Sequence, residues 1–438
     1  MKMGRSILAF FGLMAIINAP LLLMKPFPWA AGLLLIAVGL VVFCLPFRRP
    51  GETRRLRGVR RGALLVTLSS FAFVAQLAWY LPYSLLSCRE VLPLVLCAVW
   101  AAAVLFAVMA DGVLRLFFLS AQAGVVRRGL LLLFWWVPVF NLVLVRQMCR
   151  AARLECAREL ARIDRDTVRR ESEVCRTRYP LVLVHGVFFR DWQLFNYWGR
   201  IPRELQRNGA AVYYGGQQSA APIAQSGEEL CRHIEELVER TGCGKVNIIA
   251  HSKGGLDARY AVSCLGLAPC VASITTVNTP HRGCVWAEKL LAAAPPSLAG
   301  WVARRYNGLF TKLGDTAPDF LGAVNSLTST ACRELNERAA DQPGILYQSV
   351  ASVMSGPSGD GMPLKLTYRI VRHYEGDNDG LVSPASAVWG NSLGLLEPRG
   401  RRGISHGDMI DLRRTDLPDF DVREFYVKVA AGLKEQGL

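Results

Sequence analysis

"KVNIIAHSKGGLDARYAV", residues 245–262, decides the fold of this chain. The apolar, β-branched run over 246–249 reads as a buried strand, and the residues from Gly254 onward read as a helix. Between them Ala250-His251-Ser252-Lys253-Gly254 must turn sharply, so the residues two before and two after the serine have to be small. Ala250 and Gly254 meet that condition, Ala250 standing where glycine is commoner. A serine at such a corner sits at the carboxyl edge of a parallel sheet, where the helix start offers unpaired N–H groups to a developing negative charge. Ser252 is therefore a candidate nucleophile, and it needs a base and an acid.

The surrounding sequence has the alternation that such a corner requires. "YPLVLVHG" (179–186), "AAVYYGG" (210–216), "VASITTVNTP" (271–280), "GILYQSVAS" (344–352) and "LTYRIVRHY" (366–374) read as further strands. "IPRELQRNG" (201–209), "SGEELCRHIEELVERTG" (226–242) and "FDVREFYVKVAAGLKEQG" (420–437) read as helices, the second starting at Ser226 and stopping at Gly242. The expectation is a doubly wound, mainly parallel α/β sheet with its site at the carboxyl ends of the strands.

Partners follow in order. "YEGDNDGLVSPASA" (374–387) puts acids on a turn expected just after a strand, and "RGISHGDMIDL" (402–412) supplies His406 before the last helix. Serine, acid, histidine is the chain order of hydrolases built on such a sheet. Of the six histidines, His251 adjoins the serine and is expected to point away, while His185 and His281 sit on turns. His233 falls in a helix and His373 in a strand ahead of the acid, which leaves His406 as the candidate base. For an oxyanion, the loop after the first strand offers the Val187 amide, with Gly186 letting the backbone approach, and Lys253 offers the second. The Lys253 side chain is expected to be an exposed charge.

Five blocks, "LVLVHGVFF", "KVNIIAHSKGG", "VNTPHRG", "DNDGLV" and "SHGDMIDL", stand in an order that resembles the bacterial triacylglycerol lipase family of α/β-hydrolases, over residues 179–438. The resemblance implies Ser252 as nucleophile, Asp379 rather than Asp377 as acid, His406 as base, and Val187 and Lys253 as oxyanion amides. It implies lipid or other acyl-ester substrates and no required cofactor. Acyl transfer by the same triad, or ligand binding without catalysis, are the alternatives. Some members hold a structural calcium through an acid two residues after the histidine, which is Asp408 here, with Asp360 a loose second acid by spacing. Such lipases are typically secreted and soluble, and this chain departs from them at its N-terminus.

Between the third block and residue 344, an insertion over about 284–330 puts Leu291, Leu298, Trp301, Val302, Tyr306 and Leu309 on an expected lid or fixed cap. Phe188, Phe189, Trp192, Phe195, Tyr197 and Trp198 form an aromatic run, read mainly as packing.

Charge divides the chain. Residues 1–178 carry 24 Lys+Arg against 9 Asp+Glu, and the remainder 27 against 26. The basic excess lies around apolar stretches, at 6–24, 28–47, 62–86 and 91–110, each about a bilayer-crossing length. Shorter stretches at 113–126 and 129–145 bring the expectation to four to six spans over 1–146. A charged helical linker over 147–178 follows, then the catalytic domain over 179–438. No aromatic-plus-basic nucleic-acid module is present, so the charge reads as headgroup contact rather than nucleic-acid binding. Seven arginines in 48–62 and ten in 146–178 favour the cytoplasmic face for both segments, and so for the catalytic domain. Twelve cysteines without framework or zinc spacing suit a reducing compartment.

Overall fold

A computed structural model describes residues 2–23, 28–44, 49–86, 91–169, 171–187, 196–312, 315–397, 400 and 402–438. They form two compact units, Met1–Thr167 and Val168–Leu438.

The first unit is helical: α1 (Lys2–Ile17), α2 (Ala19–Leu23), α3 (Trp29–Cys44), α4 (Arg54–Leu86), α5 (Val91–Leu119), α6 (Val125–Leu133) and α7 (Pro138–Arg169), whose last residues leave the unit. Glycines allow close helix crossings in it. A Cβ on Gly112 of α5 would lie 2.9 Å from the Val66 side chain and 3.1 Å from the Gly62 carbonyl oxygen of α4, so the two backbones approach as only small residues allow. Among the described residues, Arg54–Tyr80 and Val91–Leu119 are long and apolar enough to cross a membrane, and Gly4–Ile17 and Trp29–Cys44 are shorter apolar helices. The stretch expected as a separate element over 113–126 is instead divided. Its first part prolongs α5, because Asp111 and Arg115 pair one turn apart at 2.9 Å and nothing there breaks the helix. The stretch over 129–145 breaks before Pro138, which opens α7.

The second unit is a six-stranded sheet with helices. Its strands are β1 (Leu181–Val184), β2 (Val212–Tyr214), β3 (Val246–His251), β4 (Val271–Val277), β5 (Leu346–Ser352) and β6 (Asn391–Leu396). They lie in the order β2-β1-β3-β4-β5-β6, every pairing parallel. The helices are α8 (Ile201–Arg207), α9 (Ile223–Thr241), α10 (Lys253–Cys264), α11 (Val285–Ala293), α12 (Pro296–Lys312), α13 (Phe320–Asn325), α14 (Ser329–Arg338), α15 (Leu364–Glu375), α16 (Pro384–Ala387) and α17 (Val422–Glu435). β1, β3 and β4 are buried along their whole length, which is why they read as unbroken apolar runs. Two apolar clusters cover the two faces. One gathers Leu183, Ile249, Trp198, Tyr426 and Leu433; the other gathers Val182, Ile248, Leu230, Ile234 and Ala258. The strand order reverses between β1 and β3, and the crevice beyond that point is where sheets of this kind bind ligands.

Three local expectations are corrected. Residues 366–374 are helical, inside α15: Leu364, Tyr368 and Val371 recur at helical spacing and bury the last two, and this outweighs the alternation of 366, 368 and 370. Helix α9 starts at Ile223 after Pro222, so Ser226 lies within it and does not cap it; Gly242, left-handed at φ 65°, does end it. β6 has no counterpart in the sequence reading, since its residues are exposed or half-buried and Gly394 interrupts them.

Replacing Ile248, fully buried in β3, by Ala is expected to destabilise the second unit by about 2–5 kcal/mol, read as a lower denaturant midpoint in tryptophan fluorescence.

Candidate active site

Ser252 stands between β3 and α10 with φ 56° and ψ −133°. That backbone region is costly for a residue with a Cβ, by about 1–3 kcal/mol, and the surroundings enforce it. The Ser252 amide donates to the Val277 carbonyl at the end of β4 (3.0 Å), and the Gly255 amide donates to the Ser252 carbonyl (3.1 Å) to start the helix. Gly254 is squeezed against the end of β1: a Cβ there would run into the carbonyl oxygens of Val184 and His185, 2.8 Å from the first. A Cβ on Gly255 would collide with Thr279, which puts the "VNTP" block against the same helix start. From the other side, a Cβ on Gly186 would lie 2.8 Å from Cβ of Ser252. The loop carrying Val187 therefore reaches the serine, and the Lys253 amide, first of α10, has no intrahelical acceptor.

The acid and base are brought together directly. Nδ1 of His406 is 2.6 Å from Oδ2 of Asp379, and the His406 amide donates to the Asp379 carbonyl at 2.8 Å. Oδ1 of Asp379 accepts from the Leu381 and Val382 amides, both at 2.8 Å, and the carboxylate is fully buried. Asp377 points elsewhere, its carboxylate exposed and paired with Arg372 at 3.1 Å. His406 is linked to the serine corner through His251, whose ring centroid is 4.4 Å from its own. So His251 does not point away from the site: it packs on His406 and shares a 2.7 Å hydrogen bond with the Tyr197 hydroxyl. Burial, reinforced by the neighbouring His406, holds the His251 pKa well below the usual histidine range, so it is neutral at pH 7.

The Lys253 side chain overturns its expectation as well. It is 1% exposed, with Nζ 2.8 Å and 3.0 Å from the Asp257 carboxylate oxygens and 2.8 Å from Oγ of Ser226. Burial pushes the Asp257 carboxyl up to about 6 against the pull of Lys253. The signal in the sequence was the Lys-Asp spacing of one helical turn, on a helix whose other face was already apolar.

The candidate calcium positions do come together. Ser405 joins them, its hydroxyl donating to Oδ2 of Asp360 and its amide donating to Oδ2 of Asp408 at 2.9 Å. Each acid already holds a guanidinium. Arg402 lies across Asp408, Nη1 2.9 Å from Oδ2 and Nη2 3.0 Å from Oδ1, and Arg413 meets Asp360 at 2.5 Å. Burial pushes the Asp408 carboxyl up and Arg402 opposes it. Calcium takes six to eight oxygen ligands; two carboxylates already filled by arginines do not fit it. Among the described residues no group of three or more His, Cys, Asp or Glu is placed to hold a metal. Of the aromatic run, Tyr197 and Trp198 are buried, and Phe188, Phe189, Trp192 and Phe195 lie outside the described residues. Of the insertion, Leu298, Trp301, Tyr306 and Leu309 are exposed on α12.

With this geometry in view, comparison with known proteins gives a consistent result. Over 232 residues the chain is 34% identical to a triacylglycerol lipase of Burkholderia plantarii, covering 49% of this chain and 62% of that protein. Over 200 residues it is 36% identical to one from Pseudarthrobacter phenanthrenivorans, covering 42% and 61%. Over 295 residues it is 28% identical to one from Pseudomonas fragi, covering 60% and 98%. The chain is similar to bacterial triacylglycerol lipases. It spans less than two thirds of the length of the first two, and no protein-family model matches it.

Asp257→Asn is expected to destabilise the second unit by about 3–5 kcal/mol, because it leaves the Lys253 ammonium buried and unpaired. Lys253→Met combined with Asp257→Leu is expected to recover much of that loss, both read by thermal melting.

Proposed function

We propose that the second unit is a serine ester hydrolase acting on lipid or other acyl esters through Ser252, His406 and Asp379. The observation that carries this reading is the buried Asp379–His406 pair, 2.6 Å apart, beside a serine held at positive φ on a strand–helix corner. Similarity to triacylglycerol lipases supports the ester class.

In this reading His406 takes the Ser252 hydroxyl proton on Nε2 while Asp379 holds Nδ1. The serine oxygen attacks the ester carbonyl, and the Val187 and Lys253 amides stabilise the oxyanion. His406 then gives its proton to the leaving alcohol. Water, activated by the same histidine, releases the acid from the acyl-enzyme. Neutrality of His251 matters here: a second cation 4.4 Å from the forming imidazolium would oppose the first step. The exposed apolar face of α12 is the surface such an enzyme would turn toward an acyl substrate.

We further propose that the first unit anchors the enzyme in a bilayer with the catalytic unit on the cytoplasmic side. The exposed apolar residues of α4 and α5, among them Phe71, Val74, Leu77, Leu92, Val99 and Phe106, support the first part. The arginine-rich loop over 48–62 supports the second.

A fluorophosphonate probe is expected to label membrane-held wild type at Ser252, identified by peptide mass spectrometry, and to leave Ser252→Ala unlabelled. Asp379→Asn is expected to lower kcat by roughly 10³–10⁴-fold. Absence of labelling in folded wild type would sink the hydrolase reading. For orientation, a membrane-impermeant maleimide is expected to modify Cys264, exposed on the second unit, in inverted vesicles and not in intact cells, with Cys264→Ser as control. The reverse pattern would place the unit on the opposite side.

A further inference from the structure

The loop carrying His406 joins β6 to α17, and among its described residues the short turn Asp408–Ile410 is the one helical element. A general base on such a loop is useful only if its ring is held within fractions of an ångström. Three of the carboxylates on or beside the loop are engaged by arginines, Arg200 from the segment before α8 and Arg402 and Arg413 from the loop itself. Asp411 takes Nε and Nη2 of Arg200, each at 2.7 Å, from the segment leading into α8. Asp408 takes Arg402 and Asp360 takes Arg413, and Ser405, the residue before His406, bridges those two acids. The Asp408 and Asp360 side chains are 6% and 3% exposed, so the carboxylates are buried while Arg402 and Arg413 cover them from the solvent side. Asp360 belongs to the segment just ahead of α15, far from His406 in sequence, so the bridge ties the loop to a separate element.

Without the arginines, Asp360 and Asp408 would be two anionic carboxylates converging on Ser405, one at its hydroxyl and one at its amide, which repel each other and invite a divalent cation. With them the cluster is neutral, two cations against two anions. We propose that Arg402 and Arg413 are positioning residues that stand in for a divalent cation: they hold Asp408 and Asp360 together across Ser405 and so fix His406 against Asp379. This rests on the reading of His406 as the catalytic base. It predicts an enzyme that is indifferent to calcium as it stands and becomes calcium-responsive when the two guanidinium groups are removed.

The test uses the full-length chain in detergent. Wild type is expected to keep its esterase rate in EDTA and to bind no calcium by calorimetry. Arg402→Gln with Arg413→Gln is expected to lower kcat by roughly 100-fold with KM little changed, the scale of a small misplacement of a catalytic group. Millimolar calcium chloride is then expected to restore at least roughly tenfold of that loss. Adding Asp408→Asn to the double variant is expected to abolish the rescue. Circular dichroism separates a folded, slow variant from an unfolded one. If the double variant does not fold, Arg402→Gln alone is used, with the same calcium readout. The proposal is overturned if EDTA inactivates wild type and calcium revives it, if the folded variant keeps the wild-type kcat, or if its loss does not respond to calcium. Failure of the hydrolase reading looks different: wild type would neither turn over esters nor react with fluorophosphonate. In that case calcium binding by the double variant but not by wild type still decides the clamp.

Discussion

Helix α10 starts so close to the end of β1 that no side chain is tolerated at position 254. A Cβ there would press on the carbonyls of Val184 and His185. This single steric constraint forces the chain to turn within one residue of β3, and Ser252 takes up the turn with a positive φ. The same closeness draws the loop after β1 over the serine, where Gly186 leaves room for it. Serine corner, helix start and the loop after β1 are thus one packing arrangement. Loosening any of the three would move the others, because the two strands involved are adjacent and in fixed register, Val184 opposite Ala250.

Polar groups beneath that corner do a different job. Lys253, Asp257 and Ser226 form a closed set under the first turn of α10, where an uncompensated charge would be costly. The set ties Lys253, the first residue of α10, to Ser226 of α9. Asn278 plays a comparable part at the next strand end: its amide group donates to Ser352 Oγ at 2.8 Å and accepts from the Ser352 amide at 2.9 Å, locking β4 to β5. It too has a positive φ, 48°. At Asn278 the strained backbone is therefore held by side-chain bonds to the neighbouring strand.

What the sequence made legible follows from how local each cause is. The β3–α10 corner could be read because its small residues, its apolar strand and its helix are contiguous. Asp379 and His406 could be ordered along the chain, and the order narrowed the choice. The contact of His251 with His406 could not be read, since it depends on where a loop some 150 residues away returns to the sheet. For Lys253 the pairing with Asp257 was signalled by their spacing of one helical turn, but the third partner, Ser226 on another helix, was hidden. The assignment of 366–374 failed for another reason: five apolar residues in nine satisfy both periods, and only the packing of Tyr368 and Val371 chooses between them. β6, an edge strand with little to bury, leaves almost no pattern to find.

Ser252 and His406 are held by different physics. Ser252 is fixed by backbone sterics over a few neighbouring residues, with glycine at 186, 254 and 255 leaving the room that the corner needs. His406 sits on an irregular loop, where each ordered residue costs about 1–2 kcal/mol of backbone entropy. Such a loop stays in place only if bonds from several directions oppose that cost. Here they come from the Asp379 carbonyl to the His406 amide, from Tyr426 of α17 to the Met409 carbonyl at 2.9 Å, from Arg200 to Asp411 and from Arg402 to Asp408. Three of these anchors come from other segments and the Arg402–Asp408 pair closes the loop on itself, so no one element positions the histidine. That explains why α17, at the far end of the chain, belongs to the site although none of its residues faces the serine: its Tyr426 reaches through the core to hold the loop that carries the histidine.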